Sequence, residues 1–512
     1  MKLNPSKGGR RVDDKGRFLI GQCLGVGFDG PAIPEEYAEL ARKYKIGNVL
    51  LFRRNVESFE QIKALCASLT NLIQGETGLA PFIMAGEEGG SVSRLSHIAG
   101  LTPCPMAVGA TGDPENARTV GRWIGKAMRA VGVNMDFGPV LDVFSNPDNA
   151  VIGTRSFGPD PETASAFGLA FLRGLQSAGV MACGKHFPGH GDTAVDSHLA
   201  LPLVEKSEPD FRRTELPSFV SAIHEGIEAI MTAHVVLPAV DLERLPATVS
   251  KKILTGLLRE ELGFQGMVIS DGMEMKAVMD LYGIEEATLR AINAGCDMAL
   301  ICHSARQAAS TAEYLMAALS DGRLKPETLA DRVRRLTAWK QKIQPPMGDY
   351  ADFQCEEKQK DLRRIMDQAV RLLNAPEGRP LPPMGEGALF LGVPSRAASI
   401  AGDDANLNAA EYMAKTLGGI NGGMTADDRS LKSARCAVFF LGPHPDLAAV
   451  RQNICRAAEL GVPAVAASLY TPRCLHDLPD SVWKICAWQY DALALDALAA
   501  RFSGGRERKE SI

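Results

Sequence analysis

The sequence lacks the features that mark membrane-spanning, secreted and nucleic-acid-binding proteins. No apolar run reaches the ~18 residues that a membrane-spanning helix needs. The N-terminal stretch is polar and charged, without the apolar segment of a secretory signal. A net charge of −5 provides no basic surface for nucleic acid or for an anionic membrane. We therefore expect a cytoplasmic protein without nucleic-acid or membrane partners.

Metal and cofactor motifs are also scarce. The eleven cysteines are an odd number without Cys-x-x-Cys or combined Cys/His spacing, which is typical of reduced thiols in a cytoplasmic protein. The glycine-rich patch Gly418–Gly423 lacks the preceding strand and the following helix of a dinucleotide site. We therefore expect neither a cofactor nor a metal.

What the sequence does contain is a long alternation of short β-rich runs and helical patterns. This alternation predicts parallel strands joined by crossover helices. Eight units in about 345 residues fit a (β/α)₈ TIM barrel of ~250 residues plus insertions, although a doubly wound open sheet is an alternative. The predicted strands are Leu19–Gly27, Asn48–Phe52, Phe82–Ala85, Val131–Phe137, Val180–Lys185, Ala229–His234, Gly266–Asp271 and Met298–Cys302.

A second alternating region follows, as expected for a chain of 512 residues. A charged helix is predicted at Glu356–Asn374, and Pro376–Gly387 is typical of a linker. Buried strands are predicted at Ala388–Val393, Ala437–Leu441 and Pro463–Leu469. We divide the chain into a barrel (1–345), a helix and linker (346–386), a smaller C-terminal α/β domain (387–505) and a disordered tail (506–512).

Polar residues follow the ends of the predicted barrel strands, and in a barrel these ends form the face where active sites lie. An alternative explanation is that polar residues merely mark the positions where the strands end. That explanation does not account for the segment after the fifth strand, which holds three histidines and two aspartates between His186 and His198. The residues at strand ends are Arg54, Glu88, Asp136, Lys185, His186, His234 and Asp271.

Glycine and proline predict that the segment from Gly184 to His198 is a loop. Lys185 and His186 are donors suited to sugar hydroxyls. Asp196 and His198 are two residues apart, so the carboxylate can orient the imidazole and keep it titrating near neutral pH, where a proton donor and acceptor is useful. A metal site is an alternative, but the spacing lacks a helical i, i+4 pair and Lys185 would repel a cation.

The second candidate segment ends at Asp271. An apolar strand leads to this residue, and Gly272 lets the chain turn sharply. A carboxylate at a barrel strand end is well placed to act as a nucleophile. The alternative is that Asp271 caps the following helix.

These segments together resemble glycoside hydrolase family 3, specifically its β-N-acetylhexosaminidase branch. The most specific match is Lys-His-Phe-Pro-Gly-His-Gly at 185–191 with the Asp196-x-His198 dyad, and it is joined by Ser270-Asp271. The resemblance covers roughly residues 18–345, and the second domain more faintly. Weaker matches are Gly21-Gln22, Arg54-Asn55, Glu88-Gly89-Gly90-x-Val92-x-Arg94, Pro139–Val143 and Arg155–Gly158.

The resemblance implies an exo-acting retaining β-glycosidase, most simply a β-N-acetylhexosaminidase, with a terminal β-linked amino sugar as substrate. Asp271 would form a covalent glycosyl-aspartate intermediate, and His198, oriented by Asp196, would be the acid/base. A histidine here departs from the usual pair of carboxylates in retaining enzymes. The predicted substrate-binding residues are Arg94, Arg155, Lys185 and His186 from the resemblance, together with Glu87 and His234.

Gly86 departs from the family pattern, which usually has an aspartate two residues before the glutamate of the Glu-Gly-Gly motif. Loss of a charged acceptor removes hydrogen bonds worth about 1.5–3 kcal/mol each and opens space. Glu87 could substitute in part, although strand alternation would direct its side chain to the other face. We therefore expect a terminal sugar that is epimeric at carbon 4, substituted at carbon 4 or 6, or an unusual amino sugar.

Two alternatives remain open from the sequence. A β-glycosidase or a glycoside phosphorylase acting on another sugar is one, because a neutral histidine base does not repel an anionic acceptor. An inactive sugar-binding protein is the other, although Asp196, His198 and Asp271 are all present.

Overall fold

The computed structural model describes residues 5–193, 201–392, 407–443 and 447–504. Within these ranges it contains a closed barrel of eight parallel strands and a separate six-stranded sheet. The predicted TIM barrel followed by a smaller α/β domain is therefore confirmed, and the doubly wound alternative for the first domain is wrong. Among the helices described, none is both long and apolar enough to span a membrane.

The barrel strands are short apolar runs, nearly all of them buried, as expected for parallel strands covered on both sides. Each pairs in parallel with the next, and the last pairs with the first, where Leu24 is in register with Ala299. The prediction for the first strand was too long, because Leu19–Gln22 ends a helix; short apolar runs do not distinguish helix from strand. The strands are β1 Leu24–Gly27, β2 Asn48–Leu51, β3 Phe82–Ala85, β4 Met135–Asp136, β5 Met181–Phe187, β6 Ala229–Thr232, β7 Met267–Gly272 and β8 Met298–Ile301.

The helices around the barrel begin and end at recognisable caps. Ser58 and Asp160, for example, each accept a hydrogen bond from the backbone N–H three residues on. Gly78 and Gly132 end their helices in the left-handed conformation. The helices are α1 Pro5–Gln22, α2 Glu35–Tyr44, α3 Phe59–Thr77, α4 Ser96–Ala99, α5 Pro105–Ala110, α6 Pro114–Val131, α7 Pro161–Ser177, α8 Glu208–Thr214, α9 Leu216–Glu225, a π-helix Lys252–Glu261, α10 Lys276–Ala294, α11 Ala305–Asp321 and α12 Pro326–Lys340.

The second sheet is built from β9 Arg371–Asn374, β10 Ala388–Gly392, β11 Ile420–Asn421, β12 Cys436–Leu441, β13 Ala464–Ser468 and β14 Trp483–Cys486, in the order β11-β10-β12-β13-β14-β9. Only β9 is antiparallel to its neighbour. The accompanying helices are α13 Tyr350–Phe353, α14 Glu356–Ala369, α15 Ala409–Leu417, α16 Asp428–Ser433, α17 Leu447–Glu459, α18 Arg473–His476 and α19 Ala492–Phe502.

Two features of this second region differ from the sequence prediction. The predicted helix Glu356–Asn374 ends at Ala369, and its last residues form edge strand β9, whose half-exposed Arg-Leu-Leu-Asn sequence continues the charged helical pattern. Strands β11 and β14 were not predicted. The predicted tail at 506–512 lies outside the described residues.

The two sheets are joined by α14 and by loops of the second domain. Within α14, Ile365 belongs to the barrel core and Met366 to the core of the second sheet. Arg473 forms an ion pair with Asp148, with 3.2 Å between Nη2 and Oδ1. The second domain therefore contacts the loop after β4, on the face where the barrel strands end.

A buried lysine lies at the opposite end of the barrel, where the strands begin. The Nζ of Lys340 donates to Oε1 of Gln22 at 2.7 Å and to the carbonyl oxygen of Gly47 at 2.8 Å. These residues precede β1 and β2. Because the ammonium group is removed from water and its two acceptors are neutral, burial lowers the pKa of Lys340 to about 7.

We expect the stability of the protein to rise with pH above neutrality because of Lys340. Between about pH 7 and pH 10.5 the unfolded chain binds a proton at this lysine that the folded chain does not bind. The apparent Tm of the wild type should therefore increase from pH 6.5 to 9.5 relative to Lys340→Met, by on the order of 5 °C. Lys342→Met, at an exposed lysine two residues on, is the control. Parallel melting profiles for the wild type and Lys340→Met would contradict this assignment.

Candidate active site

A cavity of about 800 Å³ lies at the carboxyl ends of the barrel strands. Its walls come mainly from the segments after β2, β3, β5, β7 and β8, so residues far apart in sequence meet there. The polar side chains that line it are Arg53, Arg54, Glu88, Arg94, Arg155, Lys185, His186, His190, Asp271, Glu274, Lys276 and His303.

Glu88 is the buried centre of an ion cluster in this wall. Arg155 binds it with two hydrogen bonds, Nε to Oε2 and Nη2 to Oε1, both at 2.8 Å, and Nζ of Lys185 contacts Oε1. Burial disfavours ionisation, but Arg155 and Lys185 together hold the pKa of Glu88 well below its usual range. The carboxylate therefore fixes two cationic donors at the cavity surface.

His186 is held next to this cluster in one tautomer. Its Nδ1 lies 2.7 Å from Oδ2 of Asp142, and its Nε2 lies 3.3 Å from Nη2 of Arg155. Because a guanidinium group only donates, Nε2 accepts, and the ring proton on Nδ1 is donated to Asp142. Burial alone would raise the pKa of Asp142, but its contacts with His186 and His190 lower it below the usual value.

His190 also lines the cavity, although it was not among the predicted binding residues. Its Nδ1 is 2.8 Å from the hydroxyl of Thr193, and its backbone N–H donates to Asp142 at 2.8 Å. Burial, together with the neighbouring His186, lowers the pKa of His190 to about 4, so the ring is neutral at physiological pH. The sequence signal for it was its position in the Lys-His-Phe-Pro-Gly-His-Gly segment.

Asp271 lines the cavity at the end of β7. Its Oδ1 accepts a hydrogen bond from the N–H of Gly272 at 2.7 Å. His234 holds the turn at Asp271 and Gly272, because its Nε2 donates to the carbonyl oxygen of Gly272 at 2.9 Å. The Nδ1 of His234 is 2.8 Å from the hydroxyl of Thr248. His234 was predicted to bind substrate, but it is not among the described residues that line the cavity, and its ring nitrogens contact Gly272 and Thr248 instead.

Glu87, also predicted to bind substrate, contacts the loop after β3 in the described structure. Its buried carboxylate accepts hydrogen bonds from the hydroxyl of Ser93 and from the backbone N–H groups of Arg94 and Leu95, at 2.7 and 3.1 Å for the latter two. It therefore holds the loop after β3 and does not line the cavity. Arg94 itself does line it, with its guanidinium carbon 5.9 Å from the centre of the Phe52 ring.

The structure thus brings together five of the predicted site residues around one cavity. They are Arg94, Arg155, Lys185, His186 and Asp271. The predicted acid/base pair, Asp196 and His198, lies outside the described residues. Glu88 and Asp142, which the binding prediction did not include, belong to segments that the motif comparison had already singled out.

Proteins of similar sequence include bacterial β-hexosaminidases. β-Hexosaminidase A of Pseudoalteromonas piscicida is 36% identical over 333 residues, which cover 61% of this chain and 56% of that protein. The β-hexosaminidase of Pseudomonas aeruginosa is 35% identical over 309 residues, covering 60% of this chain and 88% of its own length. This chain thus spans little more than half of the first relative and most of the second.

Among solved structures, a glycoside hydrolase family 3 β-N-acetylglucosaminidase from a Paenibacillus species superposes with a TM-score of 0.85 at 32% identity. That match covers 96% of this chain and 97% of the other. Residues 12–338 match the model of the glycosyl hydrolase family 3 N-terminal domain. Because this match includes well over half of the chain, the protein belongs to glycosyl hydrolase family 3.

Proposed function

We propose that the protein is an exo-acting retaining β-glycosidase that removes a terminal β-linked N-acetyl-amino sugar. The observation that carries this proposal is the convergence of Asp271 with Arg155, Lys185 and His186 on one cavity at the strand ends. A carboxylate beside several fixed donors suits a sugar ring, whose hydroxyls need directed hydrogen bonds. The names of the β-hexosaminidase relatives support the same class of substrate.

The reaction proceeds in two steps. In the first, the carboxylate of Asp271 attacks the anomeric carbon, the bond to the glycosidic oxygen breaks, and protonated His198 gives its proton to the departing oxygen. In the second, neutral His198 removes a proton from water, the water oxygen bonds to the anomeric carbon, and the bond to Asp271 breaks. Two displacements at the same carbon retain its configuration.

The residues around the cavity have distinct supporting roles in this mechanism. Lys185 and Arg155 donate to sugar hydroxyls and are fixed by Glu88, while Asp142 holds the ring of His186 beside them. His234 holds the turn that presents Asp271, through the carbonyl of Gly272. None of these contacts needs to form during the reaction, so the site is ordered in advance.

The enzyme is further proposed to act in the cytoplasm. All eleven cysteines are free thiols, and most of them are buried. A compartment that keeps thiols reduced suits such a protein.

A panel of chromogenic β-glycosides tests the proposal. It comprises the N-acetylglucosaminide, N-acetylgalactosaminide, glucosaminide and glucoside, each assayed with and without phosphate, with the product anomer followed by NMR. We expect release of a β-anomeric amino sugar without a need for phosphate. Formation of a sugar phosphate would indicate the phosphorylase alternative, and an α-anomeric first product would exclude retention. Binding without turnover would indicate a sugar-binding protein.

Replacement of Asp271 by alanine should abolish turnover of glycosides with good and poor leaving groups alike. Without the carboxylate no glycosyl-enzyme forms, and we expect kcat to fall by at least about 10⁴-fold. The exposed Asp280→Ala in the following helix is the matched control and should retain activity. Residual turnover within tenfold of the wild type would assign the nucleophile to another residue.

Replacement of His198 by alanine should impair substrates in proportion to the basicity of their leaving groups. A 2,4-dinitrophenyl glycoside needs little protonation as it departs, so its first step should be affected least, whereas a disaccharide should lose about 10²–10⁴-fold. His224→Ala removes an exposed histidine on α9 and serves as the control. An equal loss across all leaving groups would argue against His198 as the acid.

A further inference from the structure

Two loops of the second domain, which follow strands β13 and β14, contact loops at the carboxyl ends of the barrel strands. After β13, Arg473 forms its ion pair with Asp148, in the segment after β4. After β14, the side chain of Gln489 accepts a hydrogen bond at 2.6 Å from the backbone N–H of Cys104, in the segment after β3. The second domain therefore reaches two of the segments that surround the cavity.

Tyr470, in the loop after β13, packs directly on the backbone of the turn that carries Arg155. This turn is the 3₁₀ helix Gly153–Arg155. A Cβ atom added at Gly153 would lie 1.8 Å from the hydroxyl oxygen of Tyr470 and 2.8 Å from its Cζ, so glycine is what leaves room for the tyrosine ring. The hydroxyl also donates to the carbonyl oxygen of Ala150 at 3.5 Å.

The hydroxyl of Tyr470 interacts with the other end of this segment as well. Burial and the nearby Cys104 raise the pKa of Tyr470 to about 12, although Arg155 and a hydrogen bond from the backbone N–H of Thr154 act to lower it. The hydroxyl therefore stays protonated near neutral pH, and it can donate to Ala150 while it accepts from Thr154. One side chain of the second domain thus joins both ends of the segment 150–154.

Arg155 depends on this turn because its guanidinium group is placed by it. Lys185 and His186 lie on strand β5, which pairs with strands on both sides. Arg155 lies instead in a single 3₁₀ turn, and its Nη1 donates within the same segment to the carbonyl oxygen of Val151 at 3.1 Å. A shift of the turn would therefore carry the guanidinium group away from Glu88 and from a bound sugar.

From these contacts we propose that Tyr470 is a positioning residue for Arg155, so that the second domain helps to set how well the cavity binds the terminal sugar. The proposal rests on the proposed glycosidase function, in which Arg155 donates to a sugar hydroxyl. Tyr470 is not among the described residues that line the cavity, so it acts through Arg155 and not on the sugar itself. Directed hydrogen bonds to a substrate are sensitive to displacements on the order of 1 Å.

Deoxy substrates separate this role from a general loss of structure. The best substrate of the glycoside panel is compared with analogues that each lack one ring hydroxyl, for the wild type, Arg155→Lys and Tyr470→Ala. The analogue without the hydroxyl that Arg155 contacts should be the least affected by Arg155→Lys, because a lysine does not reproduce the planar guanidinium group. We expect Tyr470→Ala to lower kcat/KM within about twofold on that analogue, and by about tenfold or more on the others.

Two results of this comparison would overturn the proposal. One is a loss of equal size on all the substrates, which would mean that Tyr470 supports the fold without a specific connection to Arg155. The other is wild-type kinetics of Tyr470→Ala on every substrate.

A conservative variant and a matched control complete the comparison. Tyr470→Phe keeps the ring on Gly153 and removes only the hydroxyl, so its loss should fall on the same substrates but be smaller, about threefold. Tyr412→Phe should retain wild-type kinetics, because the Tyr412 hydroxyl donates to Asp496 within the second domain, at 2.7 Å. Melting curves show which variants fold. If Tyr470→Ala does not fold, the substrate pattern of Tyr470→Phe decides, and its absence overturns the proposal.

Crystal structures keep this test separate from catalysis. In Tyr470→Ala we expect the guanidinium group of Arg155 to move relative to Glu88 by about 1 Å or more, whereas Tyr412→Phe should leave it in place. If the wild type hydrolyses no glycoside of the panel, the glycosidase function fails, and this displacement still supports the positioning role. If glycosides are hydrolysed and Arg155 keeps its position in both Tyr470 variants, only the positioning role fails.

Discussion

The buried carboxylate of Glu88 is the interaction on which the site depends. It joins the loop after β3 to strand β5 and to the segment carrying Arg155, because it is the shared acceptor of Arg155 and Lys185. Arg155 in turn sets the tautomer of His186. One desolvated anion thus orients two donors directly and the His186 ring through Arg155, and its removal would leave two buried cations without their acceptor, which is costly in a protein interior.

The strand positions and the main cavity residues could be predicted from the sequence because both follow from simple patterns. Buried parallel strands are recognised in a sequence as apolar runs, and the active site of a barrel lies where those strands end. The role of each individual residue could not be predicted, because residues that are alike in sequence differ in role only through their positions in the fold. Glu87 and Glu88 look alike in sequence, yet one holds a loop through backbone N–H groups and the other lines the cavity. His234 stands at the end of a predicted strand as Lys185 does, but Thr248 and Gly272 contact both of its ring nitrogens.

Edge elements were predicted least well for a related reason. Strand β9 is half-exposed and charged, so nothing in its composition separates it from the helix before it. What makes it a strand is its pairing with β14, more than a hundred residues later in the chain. Pairing between residues so far apart in the chain cannot be predicted from the local sequence pattern.

The second domain also supports the catalytic face. The hydroxyl of Tyr470 lies over Gly153, where an added Cβ would come within 1.8 Å of it, and Gly153 is two residues before Arg155. Lys358 of α14 also contacts the carbonyl oxygen of Ala99 at the end of α4. A side chain at position 153 would therefore require a smaller residue at position 470, so the loop that carries Arg155 is shaped by the second domain.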